Sequence, residues 1–226
     1  MTTRNVTGWL LIAGPVLTFV VIGVLYSALI GDQETPETSV KEMMAKPELA
    51  KALLTLGSIV FVSIFAGLAL LARSMQGDDN AGGVCASLAG LIFVGLATIA
   101  IAATGLSAGA LEASEKSVEL AVIIEAASNA MFSGLWLFWG IGSLLLGGAM
   151  LRQKHLGAFK LKVTLFNNAA IAWIFVLFGI YVVISSLIDP GLSEDLGDSI
   201  GFGLWILMSL ATAAAGVLTL RAKEAS

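Results

Sequence analysis

Residues 84–109 read VCASLAGLIFVGLATIAIAATGLSAG, an apolar run with no charged side chain anywhere in it. A helix rises about 1.5 Å per residue and the hydrocarbon core of a bilayer is about 30 Å thick, so roughly 20 such residues cross it. This run exceeds that length. Five more apolar runs occupy 7–30, 50–72, 120–151, 163–188 and 200–220, the second holding Lys51 and the third Glu125 as their charged residues. The expected fold is all-α: a polytopic membrane protein, a six-transmembrane-helix bundle forming one integral membrane domain over residues 1–226. Helices are the natural choice because every backbone polar group in lipid must be satisfied within its own segment.

Composition points the same way. Of all residues 58% are hydrophobic and 12% charged, and mean hydropathy is +0.94, far from the balance of a soluble domain. Six spans leave only short connections among 226 residues, so function belongs to the bundle or its loops. A net charge of −4 gives no footing to nucleic-acid binding, which calls for a basic surface.

Lys and Arg near span ends are retained on the cytoplasmic side. Eight of the twelve, Arg4, Arg73, Arg152, Lys154, Lys160, Lys162, Arg221 and Lys223, fall on the side of the N-terminus; Lys41, Lys46, Lys51 and Lys116 fall opposite. Both termini are therefore expected in the cytoplasm. The first run is longer than the roughly 7–15 apolar residues of a secretory signal and lacks a small-x-small cleavage site, so it is expected to stay as an anchor. Pro15 within it removes one backbone hydrogen bond and predicts a kink.

Between the first two spans, Thr35-Pro36-Glu37 has the form of a helix start, with Thr as cap, Pro in the first turn and an early carboxylate. A short outer amphipathic helix is predicted over 36–45. Its Val40, Met43 and Met44 lie at helical spacing; a surface helix joining two spans is the expected role, and a cover over the bundle mouth the alternative. On the other side, the glycine-rich stretch 77–83 with Asp78 and Asp79 is expected to be a solvated turn, with a cation site at the two aspartates as the alternative, and it has no nucleotide-binding spacing. Small residues four apart, at Ser63/Gly67, Gly105/Gly109, Ser143/Gly147 and Thr212/Gly216, predict close helix crossings.

Glu125 is the most informative single residue. It lies in the fourth apolar run behind Val122, Ile123 and Ile124, with no basic residue within a helical turn. A charged group in hydrocarbon costs about 2.5–3.5 kcal/mol on insertion scales, so this one is expected to face the bundle interior. Asn129 follows four residues on, with Ser128 and Ser133 alongside, and the spacing predicts a polar pocket on one helix face. Glu125 then has two readings: a proton carrier or ligand contact, or interhelical glue near a helix end that snorkels to water. Asn167 and Asn168, at the start of the fifth run, form a second polar island expected to bond across helices, with ligand contact as the alternative.

Other chemistry lacks its parts. His155 is the lone histidine and Cys85 the lone cysteine, too few for haem, di-iron, zinc-hydrolase or dithiol sites. No Ser has a His partner within the spans, so no catalytic set, cofactor or metal site is expected. The expected function is non-enzymatic: binding of a small apolar or amphipathic ligand, or of a membrane-protein partner, within the bundle. A small proton-coupled transporter using Glu125 is the alternative.

Residues 137–147, LFWGIGSLLLG, with the basic stretch from Arg152 to Leu156 and Gly157 after them, resemble the signature region of a bacterial family of six-span integral membrane proteins known as a domain of unknown function. The order of first span, outer helix and second span is also similar. The resemblance implies a bacterial inner membrane and the six-span fold, and no activity, cofactor or site residue.

Overall fold

The computed structural model describes residues 2–31, 35–77, 80–153, 155–156, 159–160, 169–187 and 194–221. Six helices are long and apolar enough to cross a membrane. They are α1 (Thr3–Ile30), α3 (Pro47–Arg73), α4 (Ala81–Ser114), α5 (Val118–Gln153), α6 (Ala169–Leu187) and α7 (Glu194–Arg221). Between the first two lies the short α2 (Pro36–Ala45). His155–Leu156 and Phe159–Lys160 pair antiparallel in the turn after α5, a hairpin too short to alter an all-α bundle.

The helices run up and down as a ring in chain order. Each span packs on its neighbours in sequence, α1 on α3, α3 on α4, α4 on α5, α5 on α6 and α6 on α7, and α7 closes back on α1. Phe65, Phe93, Phe175 and Phe178 fill the centre, fully buried. Trp139 meets Phe65 edge-on at 5.3 Å between ring centroids and Phe178 at 5.8 Å, a geometry aromatic quadrupoles favour. The outer faces are as apolar as the core: Leu91 is 71% exposed and Ile123 66%. Such large apolar side chains facing outward are at home only in lipid.

Three of the four small-residue pairs hold crossings. A Cβ at Gly67 would lie 3.1 Å from the Leu11 backbone N, one at Gly147 2.7 Å from the Ala172 carbonyl, and one at Gly216 2.7 Å from the Gly8 carbonyl. These are sites of backbone contact, where dispersion draws helices together in lipid. Gly105 and Gly109 face open space instead, so that pair arises from composition alone. The closest approach to a backbone atom involves a glycine outside the four pairs, Gly179, whose added Cβ would lie 2.6 Å from the Gly140 carbonyl.

At Pro15 the sequence predicts a kink; the structure records a change of winding. α1 is α-helical to Thr18 and π-helical over Phe19–Tyr26 before its last α-turn. Single-turn π segments are the common form, so eight residues is long. Thr18 Oγ1 donates to the Gly14 carbonyl at 2.9 Å at the junction. The turn before α4 carries Gly77 at φ +127°, a backbone region that glycine alone enters without strain. Asn80 caps α4, its side-chain oxygen accepting from the Gly82 and Gly83 amides at 2.8 and 3.0 Å. Asp78 and Asp79 lie outside the described residues.

Candidate functional site

The outer helix α2 covers one end of the bundle. Thr35 caps it, taking the Thr38 amide at 3.2 Å while Thr38 Oγ1 takes the Thr35 amide at 3.0 Å, a reciprocal box in which Thr replaces the usual Glu or Gln. Val40 and Met43, three residues apart, are buried with Ile30, Leu53, Leu111 and Ala121 in a second apolar cluster, while Met44 stays exposed. Lys46 Nζ donates to the Leu29 carbonyl at 2.5 Å, satisfying an acceptor that the end of α1 leaves open. Of the two readings of this helix, the structure has the cover over the mouth rather than a loose connector.

That cover delivers a partner to Glu125. Ser39 is 1% exposed and Glu125 4%, and Ser39 Oγ donates to Glu125 Oε1 at 3.0 Å. Oε2 is buried without a hydrogen-bond partner among the described residues. Glu125 therefore does not snorkel. The pocket expected around it assembles differently. Asn129 is exposed on the outer face of α5, and Ser133, also exposed, donates to the Asn129 carbonyl at 3.1 Å. Four residues advance a helix by about 400°, and the 40° surplus carries Asn129 out of the interface. Asn167 and Asn168 lie outside the described residues.

Ser128 is fully buried and belongs to a polar seam. Its hydroxyl lies 2.9 Å from that of Ser107 on α4 and donates to the Ala103 carbonyl at 2.9 Å. One turn further along α4, Thr104 meets the Ser58 hydroxyl of α3. The seam runs from beneath α2 along the α3–α4–α5 contact and stops where the Phe61 and Phe132 rings meet at 5.8 Å, tilted by 46°. Beyond that, Trp139 Nε1 and Ser143 Oγ are buried polar atoms without partners among the described residues.

Sequence reasoning did not reach Ser39, Ser107, Thr104 or Ser58. A signal existed for Ser39 alone: it shares the stripe of Val40 and Met43, so whatever buries that stripe buries the hydroxyl. The other three pair across helices, which no spacing within one helix reveals.

A second feature opens sideways. Pro15, Val16, Phe19 and Val20 of α1 and Trp205 and Ser209 of α7 line a groove of about 310 Å³. The Phe19 and Trp205 rings stack at 6.0 Å. Ser209 is the single hydroxyl in an otherwise apolar wall, and the groove begins where α1 passes from α- to π-winding.

No three His, Cys, Asp or Glu side chains converge among the described residues. Comparison with known protein families, with characterised proteins and with solved structures finds no match. Identity is therefore carried by architecture: six apolar helices of spanning length make the chain a multi-pass membrane protein.

Proposed function

We propose that this is a non-enzymatic protein of a bacterial cytoplasmic membrane, with both termini inside, that takes the hydrocarbon chain of an amphipathic ligand into the groove between α1 and α7. The orientation rests on the eight of twelve Lys and Arg on the N-terminal side, and the bacterial assignment on the six-span resemblance. The observation carrying the ligand is the groove itself. It is apolar apart from Ser209, about 310 Å³ in volume, and built on membrane-spanning segments of α1 and α7. Ligand sites are lined in this way, with few polar groups fixing orientation, and a groove reached from the bilayer selects ligands dissolved there. The test is photolabelling of the purified protein with a photoactivatable long-chain fatty acid, mapped by peptide mass spectrometry. Label is expected to concentrate on residues 15–20 and 205–213, and Ala213→Phe, which fills the groove, to abolish that enrichment. Labelling no denser there than around Leu88 and Leu91 on the outer face of α4 sinks the reading.

A second reading, proton-coupled transport, is favoured by the unpartnered Oε2 of Glu125 at the head of a hydroxyl seam. Intramembrane acids commonly mark proton relays. Proteoliposomes under a pH gradient, with an internal pH dye, test it. Wild type is expected to dissipate the gradient and Glu125→Gln to hold it; equal behaviour of the two removes the proton role.

A further inference from the structure

α5 carries an amide where the bilayer offers it nothing. Asn129 is exposed on the outer face of the helix, and its side chain makes no hydrogen bond among the described residues. The adjacent Ser128 donates to the Ala103 carbonyl of α4, which sets Asn129 level with the uncharged run 84–109. Ile123, 66% exposed, stands about 9 Å further toward the α2 end, and Phe138, 47% exposed, about 13 Å the other way. Lipid-facing apolar residues thus flank the amide along the helix, and so short a side chain does not reach past them to water. We propose that this face of α5 is the contact between two copies of the chain, with the Asn129 amide hydrogen-bonded to its counterpart within the hydrocarbon.

Acyl tails neither donate nor accept, and an amide left unpaired among them is strongly disfavoured. Asparagines in membrane spans answer this by bonding across helices. A carboxamide carries both donors and an acceptor, so it pairs with its own kind through two reciprocal hydrogen bonds. A second copy brings that amide to the right depth without further provision. Two copies inserted in the same sense are related by an axis along the membrane normal, and an isologous contact sets residue 129 opposite residue 129. The surrounding surface admits the approach. Ala126, Ala130 and Ser133 are exposed, and a Cβ added at Gly134 would meet nothing within 4 Å. Ala126, Ala130 and Gly134 recur every fourth residue beside the row of Asn129 and Ser133. Over 126–134 this face therefore holds no side chain larger than Asn, and two backbones can come close enough for the amides to meet.

The experiment is sedimentation equilibrium of the full chain in a density-matched uncharged detergent, over a range of protein-to-detergent ratios. A reversible monomer–dimer equilibrium is expected. Asn129→Ala, which removes the amide and keeps the face flat, is expected to weaken the dimer about tenfold, the scale of two interhelical hydrogen bonds. Ala130→Phe, which thickens the face and leaves the amide in place, is expected to abolish the dimer over the same range. Val24→Phe, at an exposed position of α1 across the ring from α5, is expected to leave it unchanged. All three positions are exposed, so each variant should fold, and thermal unfolding at monomeric dilution checks this. A monomer at every ratio, an unchanged affinity in Asn129→Ala, or an equal loss in Val24→Phe overturns the proposal.

Discussion

Ser39→Ala removes the one hydrogen bond that Glu125 receives among the described residues, from a partner 86 positions away in the chain. Oε2 already lacks a partner among the described residues, so the change strands both carboxyl oxygens in a site 4% exposed. Leaving a buried acceptor unsatisfied costs about 1–3 kcal/mol. Side-chain hydrogen bonds inside membrane proteins average about 0.6 kcal/mol, with a ceiling near 1.7. Together these place the loss at about 1–2 kcal/mol, a roughly 5- to 30-fold change in the folded-to-unfolded ratio. The assay is reversible unfolding in mixed micelles of wild type, Ser39→Ala, Glu125→Leu and the double variant. In the Glu125→Leu background there is no acceptor to strand, so Ser39→Ala should cost little and the single losses should overshoot the double by about 1 kcal/mol. Losses that add to within about 0.5 kcal/mol would refute the reasoning, because residues that do not interact behave that way.

Two further outcomes follow from the packing. Gly179→Ala forces a methyl to within 2.6 Å of the Gly140 carbonyl and 2.7 Å of the Leu144 amide, and should destabilise by about 1–3 kcal/mol. Gly105→Ala, with nothing within 4 Å, should be neutral or gain up to about 1 kcal/mol from helix propensity; the same unfolding assay ranks them, and a reversed order contradicts the assigned crossings. Trp139→Phe keeps an aromatic ring against Phe65 and Phe178 while deleting an Nε1–H that has no partner among the described residues. The volume loss and the relieved donor offset, so the change should stay within about 1 kcal/mol. A loss above about 2 kcal/mol would mean that the indole nitrogen is bonded.

The six spans were legible because hydrocarbon thickness imposes a length that few other structures require. Their ends were less so. The apolar run 84–109 sits inside a helix running Ala81–Ser114, since Ala110, Leu111 and even Glu112 continue a helix once it has left the hydrocarbon. The cap, start and end of α2 were readable from Thr35, Pro36 and the Val40/Met43 stripe, because those signals are local. The apolar neighbours of Glu125 predicted that it faces the bundle interior but left snorkelling to water open, and only the seat of α2 over it decides for burial. That its partner is Ser39 rather than Asn129 was not legible, since it depends on which helix lies opposite and on a 40° rotation between successive turns. The groove was invisible for a related reason: it arises between α1 and α7, at the two ends of the chain, where the backbone after Pro15 leaves ordinary winding.

The cover helix also bears on how this protein is made. α2 emerges early from the ribosome, but the residue it binds is synthesised 86 positions later, about 4–17 s at typical rates of 5–20 residues per second. During that interval Ser39, Val40 and Met43 have no seat, because α4 and the first turns of α5 do not yet exist to supply Leu111, Ala121 and Glu125. Closure of the mouth is thus a late step of assembly, and a nascent chain arrested before α5 should leave the Lys41–Glu42 peptide bond open to trypsin that the finished protein resists.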